Sequence, residues 1–160
     1  MKEKTDYRFM RYALAEAEKC DLDINDASDN KFSVGCVIVI RDKVVIRGFT
    51  GEMPYNTHAE ECALKKADKA GISLKCATLY ATMEPCSVRL FTGTRSCTEL
   101  IINAGIQRVV YCAGEPPVYV KCEGHRKLER AGIEVLHLKE LEKEGLESCM
   151  RYYRSDFNSY

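Results

Sequence analysis

The chain has 160 residues, 46% of them hydrophobic, and its 24 basic and 24 acidic side chains cancel to a formal net charge of zero. That size suits a single domain over residues 1–160 with a genuine core. The charge balance argues against a broad nucleic-acid or membrane-binding face, which needs a surplus of Lys and Arg, but leaves room for a small anionic substrate held by one or two local cations.

From Tyr7 to Cys20, Phe9, Met10, Ala13, Leu14 and Ala17 recur at helical spacing and predict an amphipathic helix. Leu22 to Lys31 is polar and rich in Asp and Asn, hence a loop. Two apolar runs, Val34 to Ile40 and Val44 to Phe49, are separated by Arg41, Asp42 and Lys43 and predict a hairpin. Asn56 or Thr57 then offers an N-cap for a helix from about His58 to Ala70, stopped by Gly71. Beyond it a strand (Ala77 to Met83), a helix (Cys97 to Ala104), a strand (Arg108 to Ala113), a helix (Gly124 to Ala131) and a strand (Ile133 to Leu138) alternate. That alternation is the pattern of parallel strands with helical crossovers, and the opening hairpin makes the sheet mixed. Lys139 to Tyr153 reads as a closing helix. The class is α/β.

Nine cysteines are many for this length. The charged start lacks the apolar segment of a secretory signal, no run approaches the length of a membrane span, and an odd count cannot pair fully. Most are therefore expected to be reduced in a cytoplasmic protein, with Cys36, Cys76 and Cys112 acting as small core hydrophobes.

Two short stretches carry chemistry: His58-Ala59-Glu60 at a helix start, and Glu84-Pro85-Cys86 after a strand, with Cys97 further on. One imidazole and two thiolates suit zinc, and three protein ligands leave the open position that a catalytic site requires. Zinc lowers the pKa of a water it holds from 15.7 to roughly 7. Removing an amino group from a ring then needs protons for the ring nitrogen and for the departing ammonia, a task for a carboxylate such as Glu60. H-x-E followed by P-C-x-x-C is the pattern of zinc deaminases, with the Glu not a ligand. Residues two apart on a helix point nearly opposite ways, so His58 and Glu60 converge only if the metal lies off the helix N-terminus.

Arg89 stands where the short pattern has its second cysteine, and Cys97 follows after ten residues, SVRLFTGTRS. With Arg89, Arg95 and its hydroxyls, this loop fits a polar or anionic part of a substrate; the plainer alternative is a solvated loop. Asn56 and Glu84, beside the ligands, are further candidate substrate contacts. A closed structural zinc site in a non-catalytic interaction domain is the competing reading, with Cys62 or Cys122 as fourth ligand, but it leaves Glu60 without a task. His125 and His137 read as structural or surface residues. Lys121 and Arg126 read as a solvated face rather than a phosphate site, and Tyr152, Tyr153, Phe157 and Tyr160 form an aromatic tail.

At VGCVIV (Val34 to Val39), THAEECAL (Thr57 to Leu64), TMEPCSVRL (Thr82 to Leu90), Cys97, AGIQRVV (Ala104 to Val110) and KLERAGIEV (Lys127 to Val135), the chain resembles the cytidine-deaminase superfamily. Within it the sequence looks like the riboflavin-biosynthesis pyrimidine deaminases, most of all their fungal form. The resemblance implies a three-layer α/β/α fold with a five-stranded mixed sheet. It implies zinc held by His58, Cys86 and Cys97, with Glu60 as proton shuttle and Ser87 and Arg89 beside the substrate. The implied reaction is hydrolytic deamination of a diaminopyrimidinone bearing a ribityl or ribosyl phosphate. A homodimer is implied as well, and so is deamination alone, without a reductase domain. Bacterial members carry Asn-Pro shortly before Val-Gly-Cys; here Asn30-Lys31-Phe32-Ser33 departs from that pattern. The same chemistry on cytosine, a nucleoside, a nucleotide or tRNA adenosine is the alternative; zero net charge weakens the tRNA case, and the long loop between cysteines weakens the others.

Overall fold

The computed structural model describes residues 1–22, 32–54, 57–89, 95–117 and 121–153. Its elements are α1 (Lys2–Ala17), β1 (Gly35–Ile40), β2 (Lys43–Phe49), α2 (Ala59–Lys69), β3 (Thr78–Met83), α3 (Cys97–Ala104), β4 (Arg108–Ala113), α4 (Gly124–Arg130), β5 (Glu134–His137) and α5 (Glu142–Cys149). A 3₁₀ turn, Lys139–Leu141, leads into α5. The strands form one sheet in the order β2-β1-β3-β4-β5. β1 runs antiparallel to both β2 and β3, whereas β3, β4 and β5 are parallel, as crossovers through α3 and α4 require.

Successive strand side chains point to opposite faces, and this sorts the core in two. Cys36, Ile38, Leu79, Ala81 and Val109 pack with Ala59, Ala63, Ala67, Ile101 and Leu128 from α2, α3 and α4. Val37, Val39, Tyr80, Val110 and Cys112 pack with Phe9, Met10, Ala13 and Leu14 of α1 and with Leu141. Leu146 and Cys149 of α5 pack with Met83 and Ala113 in a smaller third cluster. Helices cover both faces, so the expected three-layer α/β/α architecture is the observed one. No described helix is long and apolar enough to cross a membrane.

Several expected details change. Helix α1 starts at Lys2 rather than Tyr7, because its polar opening is not all solvent-facing. Asp6 is 2% exposed and accepts from Arg108 Nη1 and Nη2 at 2.6 and 2.8 Å and from the Tyr80 hydroxyl at 2.8 Å. The hairpin turn has two residues, not three: Ile40 pairs with Lys43, and Arg41 and Asp42 take φ of 50° and 59°, the left-handed pair that matches strand twist. Cys76 is no core thiol. It is exposed in a turn before β3, with φ of 66°, whereas Cys36 and Cys112 are buried as expected. The closing helix is shorter than Lys139 to Tyr153, and the residues after it fold back. Arg151 donates to the carbonyls of Ala17 and Cys20 at 3.1 and 3.3 Å, satisfying the open end of α1, and Tyr153 stacks on Phe32. Phe157 and Tyr160 lie outside the described residues.

One glycine brings α2 close to the sheet. A Cβ on Gly48 of β2 would sit 2.5 Å from the Ala59 carbonyl oxygen, so only glycine lets the start of α2 approach this near.

Candidate metal centre and active site

Three chain segments meet at one end of the sheet. The first is the start of α2. The Thr57 hydroxyl donates to the Met53 and Pro54 carbonyls and fixes the approach. His58, not Asn56 or Thr57, occupies the N-cap position; it is extended (φ −74°, ψ 156°) and makes no capping bond through its side chain. With the imidazole one step outside the helix and Glu60 in its first turn, the opposed directions of helical i and i+2 positions no longer apply. Asn56 itself lies outside the described residues.

The second segment is the turn after β3, which carries Cys86. The third is the start of α3. Ser96 closes a capping box there: its hydroxyl accepts from the Glu99 N–H at 3.2 Å, and its own N–H donates to Glu99 Oε2 at 2.8 Å. Cys97 is thereby fixed at the first helical position, where the partial positive charge of the helix end favours an anion.

These segments bring His58 Nδ1 to 3.6 Å from Cys86 Sγ and 3.4 Å from Cys97 Sγ, and the three ligand atoms lie within 4.8 Å of one another. Ligands at the usual zinc distances, about 2.3 Å for sulfur and 2.0–2.1 Å for nitrogen, stand about 3.5 Å apart around a tetrahedral centre. The donor set and its spacing therefore fit zinc. Among the described residues no fourth ligand joins the group. Burial holds the Cys62 thiol up at about 11, and the Cys122 thiol points to the Pro85 carbonyl at 3.6 Å. The closed four-ligand reading is thus without its candidates.

The three groups share their protons unevenly. The Cys97 side chain and backbone N–H bond to Cys86, the latter at 3.3 Å. The Cys97 side-chain bond, aided by His58, holds the Cys86 thiol well below the ordinary range despite burial. The same bond and burial push Cys97 up. Burial works against a charged His58, but the bond to Cys86 and the charges of Cys86 and Glu60 outweigh it and raise its pKa. A divalent cation entering here would displace protons from these groups. Glu60 is 3% exposed, and burial raises its pKa to about 7 against the opposing pull of His58.

Around the ligands, the predicted substrate residues have specific partners. Arg89 Nη1 pairs with Glu61 Oε2 at 2.7 Å, and both side chains are nearly buried. Lys65 bonds the other Glu61 oxygen at 2.7 Å. Burial opposes a charged Glu61, yet the bonds from Lys65 and Arg89 prevail and lower its pKa. Arg95 is exposed just before α3. Glu84 Oε1 accepts from the His125 N–H at 2.8 Å, and Ser87 Oγ from the Glu123 N–H at 3.1 Å; these two oxygens face the beginning of α4. His125 and His137 are structural, as expected: both ring-contact Tyr111, the first through a 2.9 Å bond to its hydroxyl, the second by stacking at 4.6 Å. Arg126 pairs with Glu123 and Lys121 is exposed. Sequence reasoning missed Glu61 and Thr98. The adjacent Glu60 hid the first, and only the 2.7 Å bond from Thr98 Oγ1 to the Cys86 carbonyl reveals the second.

Residues 3–113 match the family described as the cytidine and deoxycytidylate deaminase zinc-binding region. The chain belongs to this family. Its relatives in the deaminase family include the diaminohydroxyphosphoribosylamino-pyrimidine deaminase of Schizosaccharomyces pombe, 41% identical over 153 residues, which are 94% of this chain and 36% of that protein. The chain thus spans little more than a third of that relative. A Thermotoga maritima diaminohydroxyphosphoribosylaminopyrimidine deaminase/5-amino-6-(5-phosphoribosylamino)uracil reductase has the same fold, with a TM-score of 0.79 at 32% identity over 95% of this chain and 41% of that one. A C-terminal deletion mutant of the Aspergillus oryzae Rib2 deaminase, in complex with DARIPP, gives 0.78 at 28% identity over 94% of this chain and 92% of that one.

Proposed function

We propose that the chain is a zinc-dependent deaminase of riboflavin biosynthesis, acting on a diaminopyrimidinone that carries a ribityl or ribosyl phosphate. The observation that carries this reading is the convergence of His58, Cys86 and Cys97 at zinc-like spacing beside the buried carboxyl of Glu60. The pyrimidine deaminase relatives of yeast and Thermotoga support the substrate class.

In this reading His58, Cys86 and Cys97 hold the metal, and when bound zinc supplies a Lewis acid that brings a water's pKa near neutrality. Glu60 takes a proton from the attacking water, gives one to the ring nitrogen, and delivers one to the departing amino group, so that water and the amino-substituted carbon become a ring carbonyl and ammonia. Arg89, Arg95 and Asn56 are the side chains assigned to the substrate. Arg89, held by Glu61, also fixes the loop between the cysteines to α2. Glu84 and Ser87 are assigned to the substrate as well, and each also bonds the start of α4. Residues 1–160 act as one deaminase domain, cytoplasmic and homodimeric, with no nucleic-acid or membrane partner.

The test follows ammonia release from a panel of the ribitylamino and ribosylamino pyrimidine phosphates, cytidine, deoxycytidylate, cytosine and a tRNA anticodon stem, with zinc measured on the same sample. Turnover of a pyrimidine phosphate of the first kind, with about one zinc per chain, is the expected result. Glu60→Gln should keep zinc and fold while lowering turnover by about 10²–10⁴-fold. Unchanged turnover in that variant would remove Glu60 from the mechanism, and turnover of cytosine or a nucleoside alone would replace the substrate.

A further inference from the structure

The turn that presents Cys86 is bonded both to the start of α4 and to α3. Gly124, the first residue of α4, lies so close that a Cβ there would fall 2.0 Å from the Pro85 carbonyl oxygen. Lys127 Nζ donates to the Ser87 carbonyl at 3.0 Å. In the other direction, Glu84 Oε1 and Ser87 Oγ accept the backbone N–H groups of His125 and Glu123. Thr98 closes the third side, its N–H and hydroxyl donating to the Cys86 carbonyl at 3.2 and 2.7 Å. Every residue from Glu84 to Ser87 is thus touched by α4, by its approach or by α3, on both flanks of the sulfur.

We infer that the first turn of α4 positions the ligand Cys86, with Glu84, Gly124 and Lys127 as positioning residues that set how tightly and in what geometry the metal is held. The inference rests on the reading of Cys86 as a ligand. Its physical basis is general: metal ligands are oriented by the groups that bond their surroundings, and loss of such a group costs about 10–100-fold in metal affinity or activity. A thiolate on a turn held by these five bonds is aimed before the metal arrives, whereas on a loosened turn the metal itself must order the backbone. Glu84 in particular acts through a carboxylate oxygen that merely accepts, so its charge is dispensable and its acceptor is not. This residue sits next but one to the ligand, yet its work is done 41 positions along the chain at His125.

The test uses cobalt(II) ion on the metal-stripped full chain, titrated against a chelator and followed by thiolate-to-cobalt absorption. Glu84→Ala and Gly124→Ala should weaken cobalt binding by about 10–100-fold and alter the visible bands that report tetrahedral geometry. Lys127→Met should show a smaller loss, and Glu84→Gln, which keeps the acceptor oxygen, should stay near wild type. Arg130→Ala, on the exposed face of the same helix, should match wild type. A merely structural role would lower the unfolding temperature of the metal-free chain and leave cobalt affinity and spectrum unmoved; that result for Glu84→Ala would overturn the inference. If Gly124→Ala does not fold, the contrast between Glu84→Ala and Glu84→Gln decides. Absence of thiolate bands in the wild type would instead refute the ligand assignment itself, and the inference with it.

Discussion

Replacing Asp6 by alanine removes the two oxygens that lie 2.6 and 2.8 Å from the Arg108 guanidinium, a group 8% exposed beneath α1. What remains for Arg108 is Glu134, 2.9 Å from Nε but with 55% of its side chain exposed, a solvated partner of small worth. Tyr80 loses its acceptor at the same time. Breaking a buried pair by removing one member costs about 3–5 kcal/mol, and the orphaned hydroxyl adds about 1 kcal/mol. Against a total stability of about 5–15 kcal/mol, Asp6→Ala is expected to lower Tm by at least about 10 °C. The double variant Asp6→Leu, Arg108→Met replaces both charges with apolar volume and should recover most of the loss. Urea unfolding followed by far-ultraviolet circular dichroism reads both, since the chain has no Trp. A loss below about 1 kcal/mol for the single variant, or a double variant no better than the single, would refute the account.

Cys86→Ser should lose metal outright, with zinc per chain falling toward zero by elemental analysis while the helical signal persists, because the core does not depend on the site. Ser96→Ala opens the capping box before Cys97 and should cost about 0.5–2 kcal/mol in urea unfolding; an unchanged midpoint would show that α3 needs no cap. Glu61 contributes through pH. Its folded pKa is lowered by Lys65 and Arg89, so its stabilisation is present above the unfolded value of about 4.3 and is lost as pH falls through the folded one. The Tm gap between wild type and Glu61→Gln should therefore be open at neutral pH and close in acid; a gap that widens in acid would reverse the sign and the argument.

Most of the architecture is local in origin, and so was readable. Helix α3 was placed at both ends because Ser96, Glu99 and Gly105 carry its start and stop in their own chemistry. The continuous apolar runs of β1 and β4, buried along nearly their whole length, marked them as strands covered on both faces. The grouping of His58, Cys86 and Cys97 was legible for a different reason: His, Cys and Cys in that order near a Glu have few other joint uses. What escaped depends on partners distant in sequence. Asp6 looked like part of a solvated start until Arg108, 102 residues on, paired with it. Arg89 and Glu61 were separate charges until the fold brought them to 2.7 Å. The bonds that Glu84 Oε1 and Ser87 Oγ make to the start of α4 were equally hidden, because their partners lie 41 and 36 positions along the chain. Cys76 was misjudged because hydrophobic neighbours say nothing about a left-handed φ.

The tie between α1 and residues far along the chain bears on synthesis. Ribosomes deliver about 5–20 residues per second, and Arg108 emerges 102 residues after Asp6. Arg151, which closes the other end of the helix, comes 134 after Ala17. For about 5–20 s Phe9, Met10, Ala13 and Leu14 can pack only on β1 and then β3, before β4 and the C-terminal turn complete their seat. The hairpin of β1 and β2 with α2 lies within one stretch of chain and can assemble meanwhile. Until β4 arrives, α1 can rest its stripe on β1 and β3 alone, and its carboxylate at Asp6 waits for the guanidinium it will bury.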